Sequence, residues 1–212
     1  MIDKRKRKLL IIECNAPKLK AQGLSFSETL IRSASLVLSD NLIYLIQTKD
    51  RKLIPTQFAE AKQKSSNYSA ITIIGHSNSN GIWLGENVPY KWESLSNWLK
   101  PFHPQKLFLM SCQGGKTEIS KILFKNIDSL KEIYGSPVLL SKSEAITIAG
   151  YILADLLDTK SAKNMFPVAQ IISVLNKGFI WKIARGDEES NITKEFTENI
   201  IMGLSPKRAV KR

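Results

Sequence analysis

Cysteine and histidine are scarce in this chain: Cys14, Cys112, His76 and His103 are the only ones in 212 residues. Two thiols cannot build a disulfide framework across this length, and with no export signal in view they are expected reduced. The four residues lie scattered, without paired ligand spacing, so no metal site and no cofactor is expected. Long hydrophobic runs are also missing. Nothing approaches the ~18 consecutive apolar residues of a membrane helix. The basic start leads into a short apolar stretch that holds Glu13 and lacks a small-residue cleavage site. It does not read as a signal peptide, and a cytoplasmic setting is the expectation. There is no internal repeat, no low-complexity tract and no inserted second domain.

The apolar fraction of 43% is that of an ordinary globular chain, which excludes global disorder. The formal charge of +12 sits mostly at the ends. Residues 1–8 and 207–212 carry nine positive charges against one negative, or +8, which leaves about +4 for the body. Basic ends are commonly solvated tails. A nucleic-acid reader carries its charge on a folded face interleaved with aromatics, and no such stripe is present, so nucleic acid is not the expected partner. The expected organisation is a basic N-terminal tail (1–8), one domain (9–204) and a basic C-terminal tail (205–212).

Along the body, strand and helix patterns alternate. "KLLIIECNA" (8–16), "NLIYLIQT" (41–48), "SAITIIGH" (69–76), "KLFLMSC" (106–112), "EIYGSP" (132–137) and "FIWKIARG" (179–186) read as strands. Residues 25–40 read as a helix with Ser25 and Glu28 as a capping box. Pro55 and Thr56 open a second helix, 93–100 forms a third closed by Pro101, and Thr117 is the expected cap of a fourth. Further helices are expected over 143–158, from Pro167 to a C-cap at Gly178, and in "ITKEFTENIIMGL". "GIWLGENVPYKW" reads as a small hairpin or turn pair punctuated by Gly81 and Gly85. Continuous apolar strands separated by helices predict a three-layer α/β/α sandwich with a mostly parallel sheet.

In such sheets ligands sit beyond the carboxyl ends of the strands. Two strand runs end on a chemically able residue, "IIGH" at His76 and "FLMSC" at Cys112. A thiol attacks as its thiolate, and a neighbouring imidazole can take the proton and later protonate a leaving amine. His103, in "PFHPQ", precedes its strand and falls at the wrong end. Tight turns follow both candidates, "SNSNG" after His76 and Gly114–Gly115 after Cys112. Backbone N–H groups there, such as those of Ser77 and Cys112, are placed to meet a developing oxyanion. Cys14 also ends a strand but lacks a glycine turn, and reads as a packed or rim thiol.

Two decoys fail. "GHSNSNG" imitates the G-x-S-x-G elbow, but Ser79 stands at its last glycine, and that chemistry needs a histidine later in the chain than any here. "CQGGKTE" imitates a phosphate loop but lacks the first loop glycine.

A hydrophobic strand ending in Gly-His, a small-residue turn, "GIWLG", a short helix, and then a strand ending in Ser-Cys-Gln-Gly-Gly resembles the caspase-like cysteine peptidases. That superfamily includes caspases, metacaspases, clostripain, gingipains and bacterial CHAT proteases. The likeness is closest to the CHAT-type and other bacterial caspase-like members. It is specific over about residues 70–116 and extends more loosely over 8–160. It implies a caspase-type fold and peptide-bond hydrolysis in a protein substrate, with His76 and Cys112 as the dyad and the Ser77 and Cys112 N–H groups as oxyanion donors. Met110, Gln113 and Ser136 fall where relatives meet the substrate. It further implies control by an activating protein or by processing, and a role in bacterial defence or regulated cell death. The family usually has glycine where Ser77 stands, and often an acid or amide where Met110 stands. Met110 therefore suggests an enzyme that does not depend on Asp or Arg before the cut and favours an apolar or small side chain. A catalytically silent binding module of the same fold, or a basic-tailed nucleic-acid-associated protein, would be the alternatives.

Overall fold

A computed structural model describes residues 8–14, 26–35, 38, 42–48, 50–85, 88–136, 181–186 and 190–191. The helices expected over 143–158, 167–178 and 192–204, the Ser25 cap and nearly all of both basic tails lie outside the described residues.

The strand runs become strands for a local reason: their β-branched and leucine side chains alternate between two buried faces. β1 (Leu9–Cys14), β2 (Ile43–Thr48), β3 (Ala70–Ile74), β6 (Lys106–Met110) and β7 (Glu132–Gly135) pair in parallel, in the order β2-β1-β3-β6-β7. β8 (Trp181–Ala184) joins β7 antiparallel and carries the two-residue β9 (Ser190–Asn191) at its outer edge. A separate two-stranded sheet pairs β4 (His76–Asn78) with β5 (Gly81–Trp83). The helices are α1 (Phe26–Ser35), α2 (Ile54–Lys64), α3 (Trp92–Leu99) and α4 (Thr117–Asn126).

The alternation sorts the core into two layers. Leu10, Ile12, Ile71, Ile73, Leu107, Leu109 and Ile133 face α2, α3 and α4, meeting Phe58, Trp92, Leu99, Ile119 and Leu123. Leu9, Ile11, Ala70, Ile74, Phe108, Met110 and Tyr134 face the other way, onto Leu30 and Ala34 of α1. The chain is thus a mixed α/β protein with a mostly parallel central sheet and helices on both faces. Each fully buried Leu or Ile contributes roughly 1.5–3 kcal/mol, so the two layers supply the main stabilising term.

The register of β6 on β7 is set by side chains as well as by the ladder. Phe108 lies opposite Tyr134, and their rings stack at 4.7 Å with planes 8° apart. One turn of the pleat earlier, Lys106 pairs with Glu132 at 3.3 Å, and Tyr134 donates its hydroxyl to the same carboxylate at 2.6 Å. Such cross-strand pairs resist a slip that would move every side chain to the wrong face. Beyond β8, the Arg185 guanidinium donates to the carbonyls of Phe124, Ile127 and Leu130 at 2.7–2.8 Å. It satisfies the carboxyl end of α4.

Several boundaries differ from the sequence reading. β3 stops at Ile74, Gly75 bends, and His76 opens the separate β4. Within 81–92, Ile82 and Tyr90 form an antiparallel bridge, exchanging backbone bonds at 2.8 and 2.9 Å, and Gly81–Trp83 also pairs on its other side with β4. β6 ends at Met110, two residues short of Cys112. Lys116, not Thr117, occupies the cap of α4, and Thr117 is its first residue. The 179–186 run supplies β8, which runs antiparallel to β7, and β9 follows it.

At the far end of the sheet, Tyr68 is buried and donates its hydroxyl to the Ala61 carbonyl at 3.1 Å. Burial, with neighbouring Tyr44 adding to it, pushes the Tyr68 hydroxyl up to about 12 from 10.0. Between those values the unfolded chain releases a proton that the folded chain keeps, so stability falls as pH rises through that window. The thermal midpoint should drop across this range in the native protein. In Tyr68→Phe the drop should flatten, after a uniform loss of about 1 kcal/mol for the missing hydrogen bond. Equal slopes in the two proteins would show that Tyr68 does not carry the effect.

Candidate active site

β3 and β6 are neighbours, paired in parallel with Ile74 opposite Met110. The Gly75 N–H extends the pairing by one bond, to the Met110 carbonyl at 3.4 Å. His76 and Cys112 each stand two residues beyond the in-register pair, so their backbones leave the same rim of the sheet side by side. The strand order also reverses nearby: β2 lies on one side of β1 and β3 on the other. In parallel sheets generally, ligands bind beyond the carboxyl ends of the strands at such a reversal.

His76 is exposed, and Cys112 is a partly exposed free thiol. A hydrogen bond joins the two segments directly, with the buried Ser77 hydroxyl donating to the Cys112 carbonyl. The hairpin that carries His76 is itself anchored. Asn78 accepts from the N–H groups of Asn80 and Gly81 at 2.8 and 3.2 Å, closing the turn, and Trp92 donates its indole N–H to the Asn78 carbonyl at 3.0 Å. Gly81 lies so close to the Tyr90 carbonyl that a Cβ there would fall 2.1 Å from the oxygen.

The segment after Met110 is a tight turn. Gln113 takes the left-handed region at φ 60°, Gly114 donates to the Ser111 carbonyl at 3.3 Å, and Lys116 donates to the Gln113 carbonyl at 3.1 Å. The pattern Cys-Gln-Gly-Gly points to the two glycines as the turning residues. Instead Gln113 makes the turn, and the glycines serve close approach. A Cβ on Gly114 would lie 2.6 Å from the Leu109 Cβ, and one on Gly115 only 2.4 Å from the Gly135 carbonyl oxygen. That contact lets Gly115 donate to the Ser136 carbonyl at 2.8 Å, which ties the turn to the end of β7.

Of the expected substrate-contact residues, Gln113 is partly exposed on the turn. Met110 is only 4% exposed, within the α1-facing core, and Ser136 is fully buried with its carbonyl engaged by Gly115. His103 precedes β6, at the opposite end of the sheet from Cys112, and itself has positive φ. Cys14 ends β1, with its side chain outside the described residues.

Glu13 is a further residue of the rim, one that no sequence motif marks. It sits on the same rim, opposite Ile74 of β3, and is 1% exposed. Its carboxylate accepts from the Ser27 hydroxyl and from Gln47 Nε2 at 2.6 Å, drawing α1 and β2 onto the end of β1. The available signal was an acid closing an otherwise apolar run, "LLIIEC".

Among the described residues, no group of three or more His, Cys, Asp and Glu could hold a metal, and no helix is long and apolar enough to cross a membrane. A cleft of about 260 Å³ lined by Lys8, Ile43, Tyr44, Lys64, Ser65 and Tyr68 opens at the amino ends of the strands, away from His76 and Cys112. No protein-family model and no curated protein matches this chain.

The Gly115–Gly135 approach has a direct consequence. Gly115→Ala forces backbone against a methyl group, and should destabilise the fold by about 1–3 kcal/mol, the usual range for overpacking. Urea denaturation reads this as a lower midpoint. A midpoint equal to that of the native protein would mean the two backbones do not meet as described.

Proposed function

We propose that this protein is a cysteine endopeptidase of the caspase-like type, in which Cys112 is the nucleophile and His76 the base. The observation that carries this reading is the common rim: a histidine and a free cysteine leave adjacent, in-register parallel strands at the same height, and the residue after the histidine is hydrogen-bonded to the backbone of the cysteine. The resemblance in "IIGHSNSNGIWLG" and "LFLMSCQGG" adds to it.

The chemistry follows from these parts. His76 takes the thiol proton, and the thiolate attacks the carbonyl carbon of the scissile peptide bond. The carbonyl oxygen becomes an oxyanion, met by the backbone N–H groups of Ser77 and Cys112. One such donor contributes about 3–4 kcal/mol to the transition state in other acyl-transfer enzymes. His76 then gives its proton to the leaving amine, and a thioester remains. Water attacks the thioester with His76 again as base, which releases the acid and restores the thiol.

The substrate is a protein segment that reaches the rim in extended form. Gln113 borders it from the turn, and Ser136 backs the turn through Gly115. Met110 is packed into the α1-facing core at the end of β6, so β6 offers no charge to the residue before the cut, and an apolar or small side chain is favoured there. Control by a partner protein or by processing belongs to the same reading.

Iodoacetamide should modify Cys112 quickly. Peptide cleavage should vanish in Cys112→Ala and in His76→Ala, by at least about 10³-fold as expected for loss of a nucleophile or its base, and persist in Cys14→Ala. Cleavage that survives in Cys112→Ala ends the proposal. A peptide library should show no dominant preference for Asp, Arg or Lys before the cut, and a strict preference for one of these would remove the role given to Met110.

A further inference from the structure

We infer that the Ser77 side chain is a positioning residue: its hydroxyl holds the Cys112–Gln113 peptide plane, and with it the carbonyl and N–H dipoles beside the thiol, in one orientation, against the pull of a left-handed Gln113. The inference rests on the peptidase reading for its functional meaning, and on hydrogen bonds and dihedrals for its physical content.

The Cys112 carbonyl and the Gln113 N–H belong to one rigid peptide unit. Rotating that unit by half a turn changes two dihedrals together, ψ of Cys112 and φ of Gln113. In the observed orientation the carbonyl meets the Ser77 hydroxyl, and Gln113 stands at φ 60°. In the flipped orientation the carbonyl loses that donor, and Gln113 returns to negative φ, where an L residue is at ease. Two opposing preferences therefore meet at this peptide. An ordinary hydrogen bond favours the observed state by about fivefold. The left-handed region disfavours it for a non-glycine residue by about fivefold or more.

The flanking residues cannot take over the task. Gly114 and Lys116 bond within the turn, and Gly115 bonds to Ser136, so all three hold the far side. The Gly75 bond reaches Met110, before the turn begins. Only Ser77 reaches the carbonyl of the nucleophile itself among the described residues. Ser77 also departs from the glycine usual in the resembled family, and Gln113 is not glycine. The hydroxyl on one segment answers the strained residue on the other.

The decisive variants are Ser77→Ala and the double variant Ser77→Ala with Gln113→Gly, each in the full chain with Cys14→Ala so that one thiol remains. Glycine accepts both signs of φ about equally, so the second change removes the pull without restoring the hydroxyl. Ser77→Ala should slow iodoacetamide modification of Cys112 by about three- to fivefold, from loss of one hydrogen bond. Gln113→Gly in that background should recover at least half of the loss on a logarithmic scale. Crystal structures should show Gln113 at positive φ in the parent and at negative φ in Ser77→Ala. In peptide cleavage, kcat should fall by a similar factor with KM within about twofold, the mark of an interaction that acts on the nucleophile and not on binding.

Modification rates within twofold of the parent, with Gln113 still at positive φ in Ser77→Ala, would overturn the inference even if peptides are cleaved. So would a loss in Ser77→Ala that Gln113→Gly does not relieve. The rates and dihedrals behaving as expected in a protein that cleaves no peptide would uphold the clasp and count against the peptidase reading, so the two can fail separately.

Discussion

Parallel strands paired in register carry their carboxyl ends to the same height, and the β3–β6 pair does so with Ile74 opposite Met110. Every feature of the candidate site descends from that pairing. It sets the level at which Gly75 bends away, the level at which the turn after Met110 begins, and the short span that the Ser77 hydroxyl must cross to the Cys112 carbonyl. A slip of one residue would send Met110 toward the helices α2–α4 and leave Leu109 in its place, because side chains alternate. The core pays against such a slip twice over: both faces of β3 and β6 are buried in separate apolar layers.

Above the sheet, the turn that carries Cys112 is tied on both sides. The Ser77 hydroxyl holds it from the β3 side, and the Ser136 carbonyl holds it from the β7 side through Gly115. β7 can serve as an anchor because its own register is locked by the Phe108–Tyr134 stack and the Lys106–Glu132 pair. On the other flank, Glu13 gathers Ser27 and Gln47 onto the end of β1. The rim is thus supported by hydrogen bonds between elements, while the body below is held by apolar burial. That division suits the proposed site, where polar groups must be fixed in direction and apolar contacts, being non-directional, cannot do this.

Much of the sheet could be read from runs such as "AITII" and "KLFLM", since burial on both faces demands continuous apolar residues. The amphipathic helices α2 and α3 were legible through Pro55 and Pro101 for the same local reason. His76 and Cys112 stood out as able residues placed where apolar runs stop. The fine structure between them did not. "IIGH" reads as one strand, yet the bend at Gly75 separates His76 into β4, because its partner strand Gly81–Trp83 offers pairing that β6 no longer offers. "CQGG" reads as a glycine turn, yet Gln113 takes the left-handed angle, and both glycines answer neighbours beside them.

By itself the sequence determined the class of fold, the two-sided burial of the strands, and the small set of residues able to do chemistry. Those properties depend on each residue and its near neighbours along the chain, through alternation, propensity and side-chain reactivity. Only the tertiary structure decided which able residues share a rim, that Ser77 bonds to a carbonyl 35 positions away, and that Gly115 must be bare to pass Gly135. Those outcomes depend on distances between segments far apart in the chain, and such distances exist only once the sheet has put β1, β3, β6 and β7 side by side.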